Sequence, residues 1–212
     1  MNGFWEWLRR LLSGGSPQRP ARYVIALDPG HGGKYSGATV EHPFQPGQKV
    51  MEKDITLAIT LKLTQLLRDD GHHVVLTRDR DVHLSDDLNS DLRQRAEVAN
   101  TAGAEIFVSI HCNSADNPEA SGMETYHFPG STRGRALADQ IQRSLVQAFP
   151  ERRNRGVKEG NFAVLRWTSM PACLIETEFL THRDSLLFLL DSQNQQRMAG
   201  AIREGIYQYF RT

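Results

Sequence analysis

The feature that most constrains the fold is a regular alternation. Short apolar runs rich in β-branched residues are each followed, after a break, by a longer stretch whose apolar residues recur with helical period. Tyr23-Val24-Ile25-Ala26-Leu27 is the first such run, and Asp28-Pro29-Gly30 ends it. From Lys53 to Arg68 the residues Ile55, Ile59, Leu63, Leu66 and Leu67 fall on one helical face, and Gly71 marks the stop. His73-Val74-Val75-Leu76 is the next expected strand, and Leu92 to Ala102 the next helix. The run from Glu105 to Ile110 is a third strand that ends at His111. Gly122 to Phe128 reads as a strand, Thr132 to Phe149 as a helix closed by Pro150, Ala172 to Ile175 as a strand ending at Glu176, and Gln193 to Phe210 as a final amphipathic helix. Strands separated by helices imply an α/β fold, with a mixed, largely parallel sheet covered on both faces.

At 212 residues the chain suits one such domain plus a short appendage. Ser13-Gly14-Gly15-Ser16-Pro17 reads as a linker, which divides the chain into an N-terminal segment, residues 1–20, and a domain, residues 21–212. Phe4, Trp5, Leu8, Leu11 and Leu12 suit an amphipathic helix, open to packing on the domain or to contact with a membrane. Glu6, Arg9 and Arg10 interrupt any signal-peptide core, and no stretch approaches the ~20 apolar residues of a membrane span. Lys plus Arg and Asp plus Glu each number 25, so no bulk charge draws the chain to nucleic acid, and none is expected as a partner. Cys112 and Cys173 are too few for a disulfide framework and read as buried thiols, with a single bridge between them left open.

Chemistry-bearing residues gather where the strands end. His31 follows the first strand in Asp28-Pro29-Gly30-His31-Gly32-Gly33, Glu52 stands at the mouth of the first helix, and His111 terminates the third strand. Open α/β sheets bind ligands beyond the carboxyl ends of their strands. Two imidazoles and a carboxylate make a catalytic zinc set, with one tetrahedral position left for water. Glu176, at a fourth strand end, is placed to act as the base and then the acid that metal-assisted hydrolysis needs. Each residue alone has a blander reading: a structural loop histidine, a helix-start carboxylate favoured by the macrodipole, a buried salt-bridge partner. Their shared sheet edge sets those readings aside. His42, His72, His73, His83, His127 and His182 are read as surface or packing residues, and Arg78 and Arg95 as ion-pair braces of the sheet. Strand alternation sets Cys112 on the face opposite His111.

The blocks Val24 to Gly33, Met51-Glu52-Lys53-Asp54, Leu76-Thr77-Arg78-Asp79, Val108 to Asn113, Arg155-Gly156-Val157-Lys158, Phe162 to Arg166 and Pro171 to Leu180 resemble, in order and spacing, the motifs of the type-3 N-acetylmuramoyl-L-alanine amidases. The resemblance runs from about Tyr23 to Phe210. It implies a sheet of about six strands flanked by helices, as in zinc carboxypeptidase-like hydrolases. It also implies one zinc ion per chain, ligands His31, Glu52 and His111, catalytic Glu176, and peptidoglycan as substrate. The bond cleaved would join the lactyl group of N-acetylmuramic acid to L-alanine. Two positions depart from the family pattern: Glu178 where glycine is usual, and His182 where asparagine is usual. On a continuing strand Glu178 would share the face of Glu176 and alter its proton affinity or line the cleft. A peptidase on the same scaffold and a non-catalytic wall-binding module are the rival readings; an intact ligand set beside Glu176 argues against the second. Some cell-separation members carry an inserted inhibitory helix after the second zinc histidine. Here Ser114 to Gly122 and Pro150 to Asn154 leave no room for one, so an open cleft, a monomer and activity without an obligatory activator are expected. Action on the cell wall is expected either through holin-assisted release of a phage lysin or through a trimmed leader.

Overall fold

The computed structural model describes residues 22–212, so the expectations for residues 1–20 lie outside the described residues. The elements run β1 (Val24–Pro29), β2 (Thr39–Glu41), β3 (Lys49–Met51), α1 (Glu52–Asp69), β4 (His73–Leu76), α2 (Leu88–Thr101), β5 (Ile106–Asn113), β6 (Met123–His127), α3 (Thr132–Ala148), β7 (Asn154–Glu159), α4 (Ala163–Trp167), β8 (Ala172–Phe179), α5 (Arg183–Leu190) and α6 (Ser192–Phe210). Six strands form one sheet in the order β4-β1-β5-β8-β6-β7, while β2 and β3 make a separate antiparallel pair. All neighbours in the large sheet are parallel except β6 and β8. The expected α/β class and six-stranded, largely parallel sheet are therefore present.

The two faces are covered unequally. On one, Ile55, Ile59, Leu63 and Leu67 of α1, Leu137, Ile141 and Leu145 of α3, and Met198, Ile202 and Ile206 of α6 pack on Ile25, Leu27, Val108, Ile110, Cys173 and Ile175. The other carries a smaller layer, with Ala99 of α2 and Val164 and Leu165 of α4 over Ala26, Phe107, Ala172 and Leu174. Alternate strand residues feed alternate layers, as the pleat requires. Both cysteines are buried and free.

Two β-bulges matter for the site. Between β5 and β8 the register passes from His111↔Glu176 to Asn113↔Phe179, so β8 holds one residue more than its partner. Between β6 and β7 it passes from Met123↔Asn154 to Glu124↔Gly156, which leaves Arg155 as the extra residue. The bulge in β8 reverses the alternation expected for Glu178. That carboxylate accepts from Gly122 N at 2.8 Å and Ser185 Oγ at 2.8 Å and lies 3.8 Å from Arg152, apart from Glu176. His182, the other departure, caps α5 by accepting from Ser185 N. Residues 114–122 and 149–153 contain no helix.

Candidate metal centre and catalytic carboxylate

The β1–loop junction brings in the first ligand. Gly30 N donates to Ile110 O at 2.9 Å, which ties the end of β1 to β5. His31 follows with φ 63°, a left-handed conformation that costs a non-glycine residue about 1–2 kcal/mol. Surrounding contacts hold it there. Arg95, buried under α2, donates to His31 O at 2.6 Å, to Pro29 O at 3.0 Å, and pairs with Asp28 at 2.9 Å and Asp91 at 2.6 Å. Arg95 is thus the ion-pair brace expected of it, and it also fixes the backbone beneath a ligand. Arg78 departs from that expectation: its guanidinium makes no ion pair among the described residues, and donates instead to the carbonyls of Pro29, Gly30 and Lys53.

Glu52 opens α1, where a carboxylate is favoured by the helix dipole. The β2–β3 pair sets its position, since Glu52 N donates to Ala38 O and Ala38 N returns a bond to Glu52 Oε2 at 2.9 Å. The other oxygen accepts from Cys112 N at 3.0 Å. His111, on β5, completes the group. His31 Nε2 lies 3.1 Å from Glu52 Oε2 and His111 Nδ1 lies 2.9 Å from Glu52 Oε1. One ligand atom from each of the three residues falls within 4.8 Å of the others. Close packing enforces this geometry: a Cβ at Gly30 would stand 2.3 Å from the His111 ring, and one at Gly37, where φ is +67°, 2.4 Å from Glu52 Oε2. Burial alone would raise the Glu52 carboxyl, but the bonds from His111 and His31 outweigh it and hold the group well below the usual carboxylate range.

Glu176 sits one strand away, directly opposite His111 in the β5–β8 register. Its Oε2 is shut off from solvent and has no hydrogen-bond partner among the described residues. Burial pushes its carboxyl up to about 8; His111 opposes the rise, and the charges of Glu52 and Glu124 add to it. Three hard-to-neutralise donors around one point, with an unpartnered carboxyl oxygen beside them, are what a divalent cation and its water would satisfy. The four residues singled out in the sequence are therefore brought together, and the remaining histidines take no part in the group.

Glu124 was not singled out. On β6 it pairs across the sheet with Glu176, and its buried carboxylate collects Arg155 Nε at 2.7 Å, Asn113 Nδ2 at 2.6 Å, Tyr126 Oη at 2.9 Å and Lys158 Nζ. The signal was a charged residue on the inward phase of an otherwise buried strand. A cavity of about 240 Å³ opens on His31 and His111 and is walled by Leu88, Leu92, Phe162, Val164 and Leu174.

Known proteins resemble this chain in sequence and fold. A family model described as N-acetylmuramoyl-L-alanine amidase matches residues 25–208. The N-acetylmuramoyl-L-alanine amidase LytC of Bacillus subtilis is 34% identical over 190 residues, a match that covers 89% of this chain and 36% of LytC. Among solved structures, the N-acetylmuramoyl-L-alanine amidase AmiC2 of Nostoc punctiforme superposes with a TM-score of 0.79 at 37% identity, over 91% of this chain and 99% of that one. The CwlD amidase from Clostridioides difficile, solved in complex with the GerS lipoprotein, gives a TM-score of 0.81 at 32% identity, over 90% and 99%. With the family model matching residues 25–208 and the fold shared over nearly the whole domain, this chain belongs to the N-acetylmuramoyl-L-alanine amidase family of cell-wall hydrolases.

Proposed function

We propose that the chain hydrolyses the amide between the lactyl group of N-acetylmuramic acid and L-alanine with the help of one zinc ion held by His31, Glu52 and His111, and that Glu176 moves the protons. The observation that carries this reading is the pairing of a two-imidazole, one-carboxylate group with the unpartnered Glu176 Oε2 at the adjacent register position. A bound zinc supplies a Lewis acid and brings the pKa of a coordinated water down to ~7. Beside such a cation Glu176 would be held in the ionised form that a base requires. Glu176 accepts a proton from the water that attacks the lactyl carbonyl carbon. The same proton then passes to the L-alanine nitrogen as the carbon–nitrogen bond breaks, which leaves a free lactyl carboxyl group and a free amine. Arg95 and Gly30 keep the two imidazoles in place throughout.

The same reading has the enzyme at work on the wall, as a monomer and without an activator; the absence of a helix in residues 114–122 and 149–153 supports an uncovered cleft. Residues 1–20 are proposed as a segment separate from the catalytic domain. Purified chain is incubated with isolated peptidoglycan, and the digest is read by mass spectrometry with and without a chelator. Free stem peptides with an L-alanine N-terminus, lost on chelation and restored by zinc, are expected. Glu176→Gln is expected to keep its zinc while turnover falls by about 10²–10⁴. Full activity in the metal-free chain, or loss of zinc from Glu176→Gln, overturns the assignment; activity that appears only with an added protein overturns the unassisted reading alone.

A further inference from the structure

We propose that Lys158 and Arg155 form an anion-binding shelf beside Glu176, and that it recognises a carboxylate on the peptide side of the scissile bond. The inference rests on the amidase reading and assigns it a substrate determinant. Leu174, Glu176, Tyr126 and Glu124 share one face of the sheet, since Leu174 pairs with Tyr126 and Glu176 with Glu124 across β8 and β6. Lys158 joins them as the partner of Tyr126 on β7, the outermost strand. Arg155 and Lys158 are three residues apart, so a regular strand would point them to opposite faces. The bulge at Arg155 changes the phase, and both cations reach the same oxygen of Glu124.

One carboxylate, 3% exposed, faces two cations that are 25% and 37% exposed. Glu124 also accepts from Asn113 and Tyr126, so its lone pairs are well supplied. Lys158 Nζ has three donors, and Glu124 is its one hydrogen-bond acceptor among the described residues. Arg155 adds a 3.4 Å bond to Ser121 O and lies 4.9 Å from the Phe179 ring centroid. Glu159, the next carboxylate along β7, bonds to Gly130 N. The shelf therefore keeps cationic donors that Glu124 does not use up, at a partly desolvated place where a charge-assisted bond is strong.

The cavity that opens on His31 and His111 offers no such partner. It is mainly apolar, and its one guanidinium, Arg95, is already bonded to two carboxylates and two carbonyls. Of the two sides of the scissile amide, the peptide is the one that carries carboxylates. Its residue after L-alanine bears an α-carboxyl group that exists free, as in D-glutamate, or amidated, as in D-isoglutamine. The shelf favours the free acid.

The test measures binding of N-acetyl-L-alanyl-D-glutamate and N-acetyl-L-alanyl-D-isoglutamine to the zinc-loaded full chain by NMR titration, and kcat/KM on the matching N-acetylmuramoyl dipeptides. The free acid is expected to bind about tenfold more tightly, the scale of one charge-assisted hydrogen bond. In Lys158→Gln the ratio is expected to fall below about threefold, and in Lys158→Arg to persist. Equal binding of the two peptides by wild-type protein overturns the proposal. So does a Lys158→Gln variant that weakens both peptides alike and leaves their ratio unchanged, because a purely structural lysine would do that. Binding that discriminates without any hydrolysis would remove the amidase reading and leave the shelf; hydrolysis without discrimination would do the reverse. Should Lys158→Gln fail to fold, the wild-type ratio and Lys158→Arg still decide.

Discussion

At the scale of single residues, Arg95 shows how a buried charge serves a site it does not enter. Its guanidinium satisfies two carboxylates and two carbonyls, and one of those carbonyls belongs to His31, which sits in a backbone conformation that resists occupancy. Removing one partner of a buried pair costs about 3–5 kcal/mol, because the other charge stays buried and alone. Arg95→Met is therefore expected to lose about that much stability in denaturant unfolding, and to bind zinc about 10–100-fold more weakly, as outer-shell disruptions do. A variant with normal zinc affinity would detach Arg95 from the metal centre. Asp28 is the acid side of the same pair. Burial alone would raise its carboxyl; the coulombic attraction of Arg95, joined by hydrogen bonds from Thr77 and Ser109, brings it below its ordinary value. A depressed carboxylate contributes stability above its unfolded pKa of ~3.9 and loses it as pH falls through the folded value. Unfolding free energy followed from pH 6 downward is expected to start falling near ~4, and the fall should be shallower in a protein carrying Asp28→Asn.

At the scale of elements, one extra residue in a strand decides what a side chain can do. Alternation alone would have aimed Glu178 at the catalytic face. The bulge in β8 turns it toward α5, where Ser185 and two backbone amides hold it. Glu178→Gln is expected to cost about 1–3 kcal/mol of stability, as the loss of a buried accepting carboxylate does, while the pH profile of hydrolysis stays where it was. A displaced profile would return Glu178 to the neighbourhood of Glu176. The bulge in β7 acts in the opposite sense and gathers two cations over one carboxylate. Short elements were the hardest to read in advance. The three-residue strands β2 and β3, β7 with its polar Asn-Arg-Gly-Val-Lys-Glu run, and the single-turn α4 lack the apolar period that marks a strand or helix. The long helices were legible to within a few residues, since each buries a stripe of apolar side chains.

At the scale of the molecule, the sheet order places function. The strands β1, β5 and β8 are adjacent and parallel, so the loop after β1 and the C-terminal halves of β5 and β8 lie side by side and bring His31, His111 and Glu176 together. The antiparallel neighbour β6 passes that edge from the other direction and adds Glu124 from within the strand. The apolar cavity is lined from β1, β5 and β8 and the cationic shelf is built on β6 and β7, which gives the cleft a direction along which an asymmetric substrate can be read.

The sequence by itself determined the α/β class, the loop after β1 that carries His31, the strands that carry His111 and Glu176, the helix start that carries Glu52, and, through its ordered motifs, the family; it ended those two strands at His111 and Glu176, whereas β5 runs on to Asn113 and β8 to Phe179, because the paired segments past those residues lack an apolar run. These follow from local quantities: hydrophobic period, turn residues and the types of side chain at element boundaries. Tertiary structure alone decided that Arg78 binds carbonyls rather than carboxylates, that Glu178 turns from the catalytic face, and that Glu124, Arg155 and Lys158 meet beside Glu176. The first depends on how the loop after β4 packs on the end of β1 and the start of α1; the other two depend on strand register, and a bulge shifts register by one residue without altering the local pattern that a reading of the chain can detect.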